Sequence, residues 1–119
     1  MKHTLYHYRA TVTSVYDGDT CTVDFDLGLY TWLKSQKLRL NRINAPEMRG
    51  EEKEAGTQSR DFLRGLILDK MIVVETIKDD TEKYGRYLAE IWLEQGGQWL
   101  NVNDLMVARG FALYHDYRG

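Results

Sequence analysis

The 119-residue chain is 43% apolar and 12% aromatic, too apolar for a disordered segment and long enough for one packed core, and it reads as a single domain over residues 1–119. Its one cysteine, Cys21, excludes an internal disulfide framework, and no run approaches the roughly 18 apolar residues of a membrane span. The net charge of −2 is unevenly spread: residues 34–70 hold nine basic and six acidic groups between two acidic ends, so a polyanion would be met by a few aimed cations rather than a broad basic face. MKHTLYHYRA has no apolar signal-peptide core, and the expectation is a chain without membrane contact, cytoplasmic by default.

In chain order, Thr4–Val15 has strand composition, with Thr, Tyr and Val in near alternation. Cys21, Val23, Phe25 and Leu27 share one face of the next run, and Thr20, Thr22, Asp24 and Asp26 the other, the pattern of a sheet with one side on a core. Cys21 in that run is a small buried hydrophobe rather than a reactive thiol. LGLYTWLKSQ is long for a hairpin connection, and its Tyr30, Trp32 and Leu33 cover part of the core or form a projecting flap. Lys37–Ile43 is a third strand. From Glu54, Ala55, Ser59, Phe62, Leu63, Leu66 and Ile67 recur at three- and four-residue steps, which predicts an amphipathic helix. Strands follow at Met71–Ile77, Tyr87–Leu93 and Gln98–Leu100, and Asn101 or Asn103 caps a helix over Val102–Arg109 that Gly110 ends. Three strands, a helix, two or three strands and a helix suit an α+β, mainly β fold: a five-stranded, partly closed OB barrel with two packed helices.

Three polar clusters fall at strand ends. YDGDT holds Asp17 and Asp19, LRLNRINAPE holds Arg39, Arg42, Asn44 and Glu47, and TEKYGR places Arg86 just after a Lys83-Tyr84-Gly85 turn. Brought together, they would form one small site of carboxylates, an amide and two guanidiniums. That composition suits metal-assisted attack on a phosphodiester: hard cations take oxygen ligands, and arginine binds phosphate charge bidentately.

DGDT, RINAPE and EKYGR, in this order and at these intervals, resemble the thermonuclease (staphylococcal nuclease-like) family, over about Tyr8 to Tyr117. Each string is weak by itself; three in order, each on the expected element of an OB barrel, are specific. The resemblance implies a calcium-dependent nuclease that hydrolyses phosphodiester bonds of DNA and RNA, single-stranded or flexible, with low sequence specificity. It implies Asp19 as a metal-ligating aspartate, Asn44 and the Ala45 carbonyl as further metal positions, and Arg39 on the scissile phosphate. Glu47 would activate the metal-bound water, and Arg86 would stabilise the transition state or leaving group. Lys83 and Tyr84 would hold a neighbouring phosphate, and Tyr114 or Tyr117 would stand against the nucleotide. No obligatory protein partner is implied, and a monomer is expected.

Two positions depart from the family pattern. Asn44 stands where the family most often has a second aspartate; its amide oxygen can ligate calcium but brings no charge, so weaker metal affinity is expected. The given sequence also stops without the family's further C-terminal helix. Asn44 sustains an alternative, a non-catalytic OB module that binds nucleic acid or protein around a degraded metal site. Elsewhere the residues have plain structural readings. Asp17 and Gly18 make a turn, and Arg42 is a solvated strand residue or a helix partner. Glu51, Glu52, Lys53 and Glu54 belong to a solvated helix start, and Asp79, Asp80 and Glu82 to a flexible acidic turn. Trp32, Trp92 and Trp99 anchor core or flap, and His3, His7 and His115 have no ligand spacing.

Overall fold

A computed structural model describes residues 5–115. Strands β1 (His7–Asp17), β2 (Thr20–Asp26) and β3 (Trp32–Leu40) form an antiparallel meander. After the two-residue β4 (Ile43–Asn44) and a 3₁₀ turn (Gly50–Glu52) comes helix α1 (Lys53–Ile67). Then follow β5 (Met71–Thr81), β6 (Tyr87–Gln95), β7 (Gln98–Asn101), helix α2 (Val102–Ala108) and β8 (Leu113–Tyr114).

The sheet order is β3-β2-β1-β5-β6-β7, and β3 also pairs with β6 in parallel through Leu38–Tyr87, Arg39–Leu88 and Leu40–Ala89. That seam closes five strands into a barrel with two helices, mostly β, the OB architecture expected from the element order, and closed rather than partly closed. β7 extends the sheet beyond the barrel, and β4 and β8 form a separate two-stranded ribbon.

Alternation explains the core. Cys21, Val23 and Phe25 are buried on β2 while Thr22, Asp24 and Asp26 are half-buried, so one face packs inward. Val12, Leu38, Leu40, Ile72, Val74 and Ile91 fill the same interior, with Leu63 and Ile67 of α1 and Val102 and Met106 of α2 closing it. Cys21 is fully buried and burial pushes its thiol up to about 12, which keeps it protonated and inert.

Three local expectations differ from the structure. β3 begins at Trp32, not Lys37, because a bulge between its pairings to Val23 and Phe25 interrupts the alternation, with Ser35 at φ 58°. LGLYTWLKSQ is therefore a tight hairpin end: Thr31 N–H donates to the Gly28 carbonyl at 2.9 Å, with Leu29 and Tyr30 at φ 55° and 61°. Its tip projects, leaving Leu29 95% exposed and Leu27, Tyr30, Trp32 and Leu33 exposed with it. On α1 the buried stripe is Gly56, Ser59, Leu63 and Ile67, and Ala55 faces solvent. The C-terminal helix is capped by Asn101, which accepts from Asp104 N–H at 2.8 Å. Asn103 is wholly buried instead, accepting from Ile91 N–H and donating to the carbonyls of Asn41 and Ala89.

Candidate active site

The turn between β1 and β2, the end of β3 and the start of β6 meet at one end of the barrel. Register dictates this: Thr20 is opposite Arg39, and Arg39 is opposite Leu88 across the parallel seam. Residues far apart in sequence thus become neighbours because the barrel closes there.

Asp19 and Arg39 are the buried floor of the site, 6% and 7% exposed. Arg39 Nη2 lies 3.2 Å from Asp19 Oδ2, and its Nη1 donates to the Leu40 carbonyl at 2.8 Å. Asp19 Oδ2 also accepts from Ala45 N–H at 2.7 Å, and its Oδ1 accepts from the Thr20 hydroxyl at 3.2 Å. Arg39 Nη2 reaches Asn44 Oδ1 at 3.4 Å, and Arg86 Nη1 reaches Thr20 Oγ1 at 3.4 Å. A continuous polar relay therefore runs from Arg86 through Thr20, Asp19 and Arg39 to Asn44. Burial lowers the Arg39 guanidinium pKa from its ordinary value, while the Asp19 charge opposes that shift. Removing either partner would leave a buried charge uncompensated, at a cost of about 3–5 kcal/mol.

Asp17 belongs to this cluster too. Its Oδ1 accepts from Asp19 N–H at 3.0 Å, an Asx turn in keeping with the turn expected there. Burial, and then the neighbouring Asp19 charge, push the Asp17 carboxyl up to about 6. Two carboxylates thus share the β1–β2 turn where the sequence pattern singled out one.

Arg86 is held by Glu82. The Glu82 carboxylate accepts from Arg86 Nε at 3.1 Å and Nη2 at 2.9 Å, and from the backbone N–H groups of Tyr84 and Arg86. Those bonds, above all the side-chain pair, raise the Arg86 pKa and lower that of Glu82. The acidic turn is accordingly an organised clamp, and Asp79 is likewise engaged, accepting from the Tyr8 and Thr76 hydroxyls. Glu82, four residues before Arg86, carries an i, i+4 signal that is lost when the segment is read as solvated charge. Lys83 Nζ and Arg86 Cζ lie 5.1 and 5.3 Å from the exposed Tyr84 ring centroid.

Glu47 sits beyond β4 on the Ala45–Arg49 loop, exposed, with no side-chain hydrogen bond or ion pair among the described residues. Tyr114 lies on β8, and its hydroxyl donates to Asp104 Oδ1 at 2.9 Å. Its ring is 5.8 Å from Arg42 Cζ, and Arg42 in turn pairs with Glu90 and Asp104. Arg42 is thus a partner of α2, and Tyr114 belongs to that network. Leu113, not Tyr114, is opposite Asn44. Tyr117 lies outside the described residues.

Among the described residues no group of three or more His, Cys, Asp and Glu gathers as a metal site. The donors that do converge (the Asp17 and Asp19 carboxylates, the Asn44 amide and the Thr20 hydroxyl) are all oxygens. Two carboxylates close enough to raise Asp17 form a pair that a hard divalent cation relieves, so the donor set fits such an ion. No helix among the described residues is long and apolar enough to cross a membrane.

A family model described as staphylococcal nuclease homologue matches residues 37–119, which include Arg39, Asn44, Glu47 and Arg86. The chain is 31% identical over 116 residues to Protein ParB of Escherichia coli, covering 93% of this chain and 59% of that protein. It is 32% identical over 110 residues to the Thermonuclease of Staphylococcus hyicus, covering 90% of this chain and 59% of that one. The chain therefore spans about three-fifths of the length of these curated relatives.

Proposed function

The chain belongs to the staphylococcal nuclease homologue family, and from that premise we propose that it is a calcium-dependent nuclease hydrolysing phosphodiester bonds of DNA and RNA. The observation that carries the reading is the relay Arg86–Thr20–Asp19–Arg39–Asn44, which brings two guanidiniums and a carboxylate to one barrel end. A phosphate seated there meets the positive charge of Arg39 and Arg86, which offsets the charge that grows as the fifth bond forms. Glu47, exposed on its loop, takes the proton of the attacking water. Glu82 keeps the Arg86 fork aimed, and Lys83 and Tyr84 on the same turn meet a neighbouring phosphate. Calcium held by the Asp17, Asp19 and Asn44 oxygens would supply positive charge to the phosphate, and toward that cluster Ala45 presents its N–H. Tyr114, already engaged by Asp104 and Arg42, is assigned no substrate role. Flexible single strands are the expected substrates because two arginines on one small floor must approach the backbone closely.

The test is cleavage of single-stranded DNA and RNA by the purified chain with calcium, magnesium or manganese, against chelator. Cleavage with calcium that stops with chelator, and that falls by about 10²–10⁴ in Glu47→Gln, is expected. The second reading, a non-catalytic nucleic-acid-binding module, is favoured by one feature: both Asp19 oxygens already accept protein hydrogen bonds, and neutral Asn44 adds no charge. Chelator-insensitive binding with no cleavage by any of the three metals establishes that reading instead.

A further inference from the structure

Helix α1 meets the site with bare backbone at two places. Gly56, in its first turn, is buried, and a β-carbon there would overlap the Glu47 carbonyl oxygen and stand 2.7 Å from the Glu47 carbonyl carbon and 3.0 Å from the Pro46 oxygen. Gly18, between the two aspartates, is as close from the other side: its β-carbon would stand 2.7 Å from Ser59 Cβ and 2.8 Å from Ala45 Cβ. Neither glycine is at positive φ, so each is required for space rather than for conformation. Gly65, further along the same helix, has open space at the corresponding point. Between the two contacts, the Ser59 hydroxyl donates to the Phe111 carbonyl at 2.6 Å. Phe111 leads into β8, whose Leu113 pairs with Asn44. One helix face thus touches the Asp17–Asp19 turn, the Pro46–Glu47 backbone and Phe111, which leads into the strand opposite Asn44.

We propose that Gly56 and Gly18 are positioning residues, and that α1, through them and Ser59, sets where the Glu47 carboxylate stands relative to the Asp19 cluster. The inference rests on the nuclease reading above. Among the described residues the Glu47 side chain makes no bond that would fix it, so its place follows from where its backbone is held, and that backbone lies against Gly56. Displacing a proton acceptor by about 1 Å can cost up to about 10²-fold in rate without weakening substrate binding.

The experiment compares Gly56→Ala with Gly65→Ala in the full chain. Gly56→Ala should retain cooperative unfolding, lose about tenfold or more in kcat and keep KM within about twofold. Gly65→Ala, whose methyl enters open space, should keep the wild-type kcat. Backbone amide shifts should move at Asn44, Ala45 and Glu47 in the first variant and not in the second. That readout needs no cleavage: if the wild type cuts nothing with any divalent metal, the nuclease reading fails while the shift map still decides the positioning. Wild-type kcat in Gly56→Ala, or unmoved shifts across the loop, overturns the proposal. Should Gly56→Ala not fold, Gly18→Ala takes its place. It should lose kcat in the same way and move the amide shifts of Asn44, Ala45 and Glu47, and wild-type kcat with unmoved shifts counts against the proposal.

Discussion

The two ends of the β2–β3 hairpin are built from the same pair of strands and are opposites. At the barrel end, Thr20 and Arg39 face each other among buried polar groups, each with partners. At the tip, beyond the Asp26–Trp32 pair, large apolar side chains stand in solvent on backbone turned to positive φ. The barrel end concentrates charge where it is costly and satisfies it; the tip exposes apolar surface and strains it. One strand pair can carry both because the parallel β3–β6 seam supports only Leu38–Leu40, leaving the outer part of β3 without a second neighbour in the sheet.

Breaking the barrel end should have the largest effect. Arg39→Ala leaves Asp19 buried without its cation, so unfolding in denaturant should show about 3–5 kcal/mol lost. The cleavage rate of the protein that remains folded should fall by about 10²–10⁴. Glu82→Ala comes next. It frees the Arg86 fork without touching substrate, and a loss of about 10- to 100-fold in kcat is expected. Because the pair is partly exposed, with side chains 17% and 24% accessible, its melting temperature should change little.

Asp17→Asn sharpens the comparison by sign. The folded state raises the Asp17 pKa from 3.8 to about 6, so it favours the neutral acid, and ionisation destabilises the metal-free protein as pH rises through that window. The amide should therefore stabilise the metal-free chain by about 1–2 kcal/mol above pH 6, discounted for partial exposure, and by nothing below about pH 4. Thermal melts across that range check it, and a constant gain at every pH would contradict the effect of burial, and then of the Asp19 charge, on the Asp17 carboxyl. The smallest effect belongs to the tip. Leu29→Asn with Tyr30→Gly puts residues suited to positive φ into the turn. It should add about 1 kcal/mol in denaturant unfolding and leave kcat unchanged.

The barrel was legible because strand faces are local: Cys21, Val23 and Phe25 alternate with Thr22, Asp24 and Asp26 whatever their partners. The α1 stripe was legible from Leu63 and Ile67 but not from Gly56, whose burial comes from a close backbone approach and has no hydrophobic signature. β3 was read short because the bulge near Ser35 shifts the alternation by one residue. At the site, strand-end motifs brought Asp19, Arg39, Asn44 and Arg86 to notice, and register across the seam explains how they meet. Glu82 was hidden because a clamp and a solvated acidic turn have the same composition. Asp17 was hidden because its turn geometry is real but does not exhaust what its carboxylate does. The Arg42–Glu90–Asp104 network joins residues from β6 and α2 to the turn after β3, and such pairings have no local pattern.

The parallel seam also governs order of events. Arg39 and Arg86 come together only when β3 finds β6, a pairing across nearly half the chain that follows the local hairpins because it closes a far longer loop than they do. Before that closure the chain has its helices and turns but no site. In refolding, the proposed cleavage should return only once the β3–β6 seam has closed, and not with the earlier formation of the local hairpins.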